Sequence, residues 1–76
     1  MKTISLHGML YRAHSPSRFE LLLEGFNQAP AAIVYSGWCW LVAIHGIFGT
    51  KEFASRDEAA LLIADAFKFF AWENLG

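Results

Sequence analysis

No aspartate, glutamate, lysine or arginine lies between Glu24 and Lys51, and the run from Ala31 to Phe48, AAIVYSGWCWLVAIHGIF, is the most apolar part of the chain. Such a run either crosses a membrane as a helix, which takes about 20 mostly apolar residues, or supplies buried strands to a small sheet. Three features favour strands. Ser36-Gly37 reads as a turn, Trp38 and Trp40 stand mid-run rather than at the interfaces where membrane tryptophans collect, and His45 would be held in lipid. Arg12, Arg18, Lys51 and Arg56 give no one-sided positive flank. A small single-span membrane protein is therefore the lesser alternative. Trp38, Trp40, Val42 and Ile44 alternate with Cys39, Leu41, Ala43 and His45, so each set lines one face of a strand. Both sets are largely apolar, which suits the centre of a sheet or a strand beneath a partner.

The neighbouring segments read as cover for this run. Thr3 to Arg12 alternates polar and apolar residues and predicts a first strand, with Gly8 marking a bulge or a close backbone approach. After the Ala13 to Ser17 turn signal, residues 16–26 fit two periods. Phe19, Leu22, Leu23 and Phe26 recur at helical spacing, whereas Phe19, Leu21 and Leu23 alternate as in a strand. Ser15 as N-cap and Pro16 at the first helical position favour a short helix ending near Gly25 or Asn27, and a hairpin with His14 to Ser17 as its loop is the rival. Ala32 to Tyr35 predicts a strand, and Ser36-Gly37 either a tight turn or a bulge. Gly46 to Gly49 is expected to form a four-residue hairpin loop, with the chain returning through Thr50 to Ala54.

Ser55-Arg56-Asp57-Glu58 has the form of a capping box and starts a helix that should run from Arg56 to about Asn74. Ala59, Leu62, Ile63, Ala66, Phe67 and Phe70 recur at helical spacing as the stripe that covers the sheet. The expected architecture is α+β, one domain over residues 1–76. It comprises an antiparallel sheet of three or four strands covered by a C-terminal helix, with the short helix after the first strand as an addition.

Composition bounds the function. Hydrophobic residues make up 55% of the 76-residue chain and charged residues 17%, more and fewer than globular averages. So short a chain has a high surface-to-volume ratio, so part of this apolar surplus should be exposed and mark an interface with a larger host protein or with a second copy. A net charge of −1 offers no attraction to nucleic acid or acidic lipid. The single cysteine, Cys39, cannot form an internal disulfide, and Met1 to Gly8 lacks the apolar core of a secretory signal, so the cytoplasm is the expected compartment.

Within the helix, Leu61 and Trp72 fall at about 100° per residue among Asp57, Glu58, Asp65 and Lys68, opposite the core stripe, with Phe69 on the flank. An apolar anchor in a charged rim suits a protein-binding ridge, assigned to Leu61, Asp65, Lys68, Phe69 and Trp72. The alternative is that Trp72 folds down to finish the core. Trp38 and Trp40 at i, i+2 could stack bases, the basis of a nucleic-acid-binding alternative, but the six Lys and Arg residues are scattered singly among seven acids and form no basic groove. Cys39 and His45 lie six residues apart on the same strand, roughly 20 Å at about 3.3 Å per residue, too far for a nucleophile and its base or for two metal ligands. Glu20 and Glu24 are spaced as a solvated helix surface, and no phosphate loop, nucleophile elbow or metalloprotease helix is present. The expectation is a non-enzymatic protein-binding module without catalytic residues, metal or cofactor. In general build, a tiny chain with surplus aromatics and no catalytic set, it resembles the inhibitors carried by phages and mobile elements, anti-CRISPR proteins among them. That likeness implies action by occupying a surface of host machinery.

Overall fold

A computed structural model describes residues 2–75, with side chains as far as Phe67. Six antiparallel strands follow one another as a meander: β1 (Lys2–Leu6), β2 (Met9–Ser15), β3 (Arg18–Leu21), β4 (Ala31–Tyr35), β5 (Trp40–Ile44) and β6 (Ile47–Phe48). The helix α1 (Arg56–Leu75) then packs on one face, against β1, β4 and β5. The class is α+β as expected, but the sheet has six strands rather than three or four.

One extra strand comes from a turn that the sequence disguises, and a second such turn brings the returning strand forward to Ile47–Phe48. His7 and Gly8 both have positive φ, 50° and 80°, and so do His45 and Gly46, 52° and 81°. Each pair forms a two-residue turn, closed by the Leu6–Met9 and Ile44–Ile47 pairs. Positive φ at both central residues is the type I′ pattern, whose twist matches that of the flanking strands. Histidine tolerates the left-handed region better than most side chains, and glycine enters it without penalty. Gly8 is thus a turn residue and not a bulge. The β5 hairpin returns through Ile47–Phe48 instead of a four-residue loop, and Phe53 rejoins the sheet as a single bridge to Trp40.

Residues 18–21 are a strand, not a helix, and the rival hairpin is the one formed, with Pro16-Ser17 as its turn. The reason lies on both flanks: β3 pairs with β2 and with β4, so it stands inside the sheet with ladders on each side. Phe19 and Leu21 then both bury on the covered face, while Glu20 points the other way, beside Arg12 and Ala32 in register. Between β3 and β4, Phe26 N–H donates to the Leu23 carbonyl (3.3 Å), and Gly25 supplies the positive φ of that turn.

Register sorts the sheet into two faces. Lys2, Ala13, Phe19, Ile33 and Val42 form one cross-sheet row on the side of α1. Together with Leu6, Met9, Tyr11, Leu21 and Ala31 this side builds a core closed by Ala59, Ala60, Ile63 and Phe67 of the helix. On the other side the row Thr3, Arg12, Glu20, Ala32, Ala43 and Phe48 runs from polar to apolar across the sheet. There His14 and Arg18 both pair with the Glu20 carboxylate. The connection 22–30 passes beside Arg12, Glu20 and the His45-Gly46 turn.

The helix begins where its cap predicts. Glu58 N–H donates to Ser55 Oγ (3.2 Å), while the Glu58 carboxylate accepts from Ala54 N–H (3.0 Å), one residue earlier than the usual reciprocal bond. The core stripe is corrected by a rotation. Ala60 is buried with Ala59, Ile63 and Phe67, whereas Leu62 and Ala66 are exposed. Ala59, Ala60 and Ile63 are fully buried, so the helix is rolled to centre them on the sheet, and Leu62 turns to the side. No helix among the described residues is long and apolar enough to cross a membrane, and the uncharged run forms strands.

Candidate protein-docking groove

The rotation of α1 puts Glu58, Leu61, Leu62 and Asp65 on one helix face, within about 100° of arc. That face looks across at the segment that follows β6. Between them lies a groove of about 760 Å³ lined by Lys51, Glu52, Phe53 and Ala54 on one side and these four helix residues on the other. It continues into a second groove of about 290 Å³, where Val42, Ile44, Ile47 and Phe48 join Lys51, Phe53 and Leu62. Phe53, Lys51 and Leu62 are common to both, so the two are one channel running from the β5–β6 hairpin along the first turns of α1.

The walls are apolar and open. Ile47 is 75% exposed, Leu61 56% and Leu62 39%, three large hydrophobic side chains from two elements around a single channel, while the register sets the exposed Phe48 side chain on the opposite face of the sheet. Phe53 is buried and makes the floor, with the Lys51 ammonium 5.4 Å from its ring centroid. A cation over an aromatic face is held there by the ring quadrupole, and the lysine stem adds its own methylenes to the wall. Glu52, Glu58 and Asp65 also line the channel, with the Glu52 carboxylate 3.5 Å from the Cys39 thiol and the Glu58 carboxylate accepting from Ala54 N–H (3.0 Å). An apolar centre inside a charged margin is the anatomy of a protein interface.

Of the ridge expected from the sequence, Leu61 and Asp65 lie together in this groove. The side chains of Lys68, Phe69, Phe70 and Trp72 lie outside the described residues. Ile47, Phe48, Phe53 and Leu62 were not in the expected site. The sequence places Ile47 and Phe48 in a hairpin loop, Phe53 on the segment returning from it and Leu62 in the core stripe. A two-residue β6 at the sheet's edge is too short to hide its own side chains, and that signal was concealed by the His45-Gly46 turn.

The other candidates resolve differently. Trp38 and Trp40 do not share a face. Gly37-Trp38 forms the β4–β5 turn, closed by the Ser36 N–H donating to the Cys39 carbonyl (2.9 Å), and leaves Trp38 83% exposed at its tip. Trp40 instead packs on the covered side against Tyr35 and Phe19, with ring centroids 5.0 and 6.1 Å away. The tryptophan stacking platform is therefore not assembled. Cys39 precedes β5 rather than standing within it, buried beside the turn, its thiol 3.2 Å from Ser36 Oγ and 3.5 Å from the Glu52 carboxylate. His45 lies at the opposite end of β5, in the turn to β6. Among the described residues no group of three or more His, Cys, Asp or Glu side chains could hold a metal ion. Compared with protein-family models, with curated proteins and with solved structures, the chain gives no match.

Proposed function

We propose that this protein is a non-enzymatic docking module that holds a partner protein in the channel between the β5–β6 hairpin and α1. The observation that carries the reading is the convergence of Ile47, Leu61 and Leu62, all exposed, on one channel that charged residues also line. Monomeric proteins seldom leave large apolar side chains contiguous on the surface, and where they do the patch is usually functional. Burying such anchors removes apolar area from water at about 25 cal/mol per Å², and a few of them supply most of an interface's affinity. A small inhibitor that blocks a larger host assembly by covering its surface, working in the cytoplasm where the Cys39 thiol stays reduced, is the form of docking we favour.

The test compares immobilised parent chain with Ile47→Asp, Leu61→Asp and, as a control on the far edge of the sheet, Thr3→Asp. A stoichiometric partner retained by the parent and by Thr3→Asp, and lost by both groove variants, supports the reading. Equal retention by all four chains refutes it. Because Ile47, Leu61 and Thr3 are exposed, their substitution should leave the far-ultraviolet circular dichroism of the parent intact.

A further inference from the structure

A second hollow, sharing no residue with the channel, opens where β1, β2 and β3 meet the start of α1. It measures about 370 Å³, and Lys2 and Arg56 line it together with apolar groups of Ile4, Ala13 and Phe19. Lys2, Ala13 and Phe19 stand in one cross-sheet row on the α1 side, which sets the lysine beside the helix start. Arg56 is the first residue of α1, and its guanidinium stands 5.0 Å over the Phe19 ring centroid. A ring quadrupole holds a guanidinium in place without neutralising it or using up its five N–H donors. Among the described residues no carboxylate pairs with the side chain of Lys2 or Arg56, and neither makes a side-chain hydrogen bond. The acids are placed elsewhere. Glu20 takes His14 and Arg18 on the opposite face, Asp57 faces His7 (3.9 Å), the Glu52 carboxylate lies at Cys39, the Glu58 carboxylate holds the Ala54 amide, and Asp65 lines the channel. Glu24 belongs to the connection 22–30, and the Glu73 backbone is near the far end of α1, about 25 Å along the axis at about 1.5 Å per residue.

Two cations lining one hollow without a counter-charge are a site for an anion, and their surroundings say which. We propose that this hollow binds a phosphate monoester carried on a small apolar body, an aryl phosphate being the simplest case. The guanidinium fork takes two phosphate oxygens side by side, and the lysine ammonium adds a second point charge. Together they match the nearly doubly negative charge of a monoester at pH 7 better than the single charge of a carboxylate. The apolar lining receives the body of the ester, and the volume falls at the small end of the range of about 300–1,000 Å³ for ligand sites. Polyanions are poor occupants. A nucleic acid is held by a track of cations and an acidic membrane by a cluster of about 4–8, and two cations on a chain of net charge −1 supply neither. A free ester and a phosphotyrosine side chain present the same chemistry to the hollow. The site stands apart from the docking channel, and its failure leaves that reading untouched.

The experiment titrates the ¹⁵N-labelled full chain with phenyl phosphate, inorganic phosphate, benzoate and benzyl alcohol, and then with N-acetyl-phosphotyrosine amide. Phenyl phosphate is expected to shift the amides of residues 2–4, 13–15, 19 and 56 and to bind about tenfold more tightly than inorganic phosphate or benzoate, while benzyl alcohol leaves them unmoved. Salt should weaken the binding. Lys2→Gln and Arg56→Gln should each lower the affinity about tenfold, and Arg56→Lys by less, whereas Arg12→Gln on the opposite face should not change it. Lys2 is exposed near the start of an edge strand, so its variant tests the site even if Arg56→Gln loosens the start of the helix. Binding of the phosphotyrosine amide as tightly as phenyl phosphate extends the site to a phosphoprotein, and its exclusion confines the site to a free ester; both support the proposal. Inorganic phosphate binding as tightly as phenyl phosphate would mean an adventitious ion only and overturns it. Unmoved amides at about 10 mM phenyl phosphate, shifts confined to the face of Arg12 and Arg18, or undiminished affinity in both glutamine variants also overturn it. So does tighter binding of a single-stranded oligonucleotide or of anionic vesicles at the same amides.

Discussion

Tyr11 sits at the centre of the covered face, fully buried, paired in register with Ile4 on β1 and Leu21 on β3. Its hydroxyl has no hydrogen-bond partner among the described residues, and burial pushes its phenol above the ordinary tyrosine value. A buried hydroxyl left without a partner costs about 1–3 kcal/mol, and Tyr11→Phe removes that cost while keeping the ring. Part of the gain is offset by the contacts the oxygen made, so the variant should be about 1 kcal/mol more stable at pH 7. For a chain of 76 residues, at about 2.1 cal/mol/K each, the unfolding entropy is about 160 cal/mol/K, and the melting temperature should rise by about 6 °C. The pH dependence is a second, independent signature. In the unfolded chain the phenol ionises near pH 10. The folded chain retains that proton, because burial raises its pKa. Stability is therefore fully present below about pH 10 and falls above it by about 1.4 kcal/mol per pH unit until the folded phenol ionises in turn. Only the parent carries this loss, so the advantage of the variant should widen from about 1 to about 2.4 kcal/mol at pH 11. Urea unfolding followed by tryptophan fluorescence at pH 7 and pH 11 measures both quantities. A Tyr11→Phe protein less stable than the parent at pH 7, or a difference that does not grow at pH 11, would refute the reasoning.

Truncating Ile63, fully buried under the sheet, to alanine should cost about 3 kcal/mol by chemical denaturation, whereas Leu62→Ala, one residue away but exposed, should cost under about 1 kcal/mol. Equal losses would contradict the helix rotation. Gly46→Ala places a side chain at φ 81° in the β5–β6 turn and should destabilise by about 1 kcal/mol, with the amides of residues 44–47 losing protection from hydrogen exchange first.

Much of the fold was legible because its signals are local. The cap at Ser55 and Glu58 located the helix start, since a side chain and an amide three residues apart form that bond whatever the rest of the chain does. The alternation through Trp40, Val42 and Ile44 marked a strand, as the pleat alone requires, but with both sets apolar it did not say which face the helix covers. Residues 18–21 were not legible: Phe19, Leu21, Leu22 and Leu23 satisfy both periods, and only β2 and β4 on either side make the strand the better burial. The His-Gly turns were missed because histidine is a minor member of the left-handed set: the one at His7-Gly8 hid a hairpin, and the one at His45-Gly46 tightened the expected hairpin and moved its returning strand.

The same division holds for the groove. Sequence alone determined that apolar surface would be in excess, that a capped helix would carry Leu61 and Asp65 on its outer side, and that no strong net charge would draw a polyanion. Only the tertiary structure decided where the excess is concentrated. Helical spacing describes which residues share an arc, but not how the helix is rolled on its sheet. Ala59, Ala60 and Ile63 are buried against the sheet, which turns Leu62 outward, and the pairing of Ile47 with Ile44 sets Ile47 on the same side. A docking channel assembled from a hairpin and a helix thus depends on register and rotation, two quantities fixed by contacts between residues far apart in the chain.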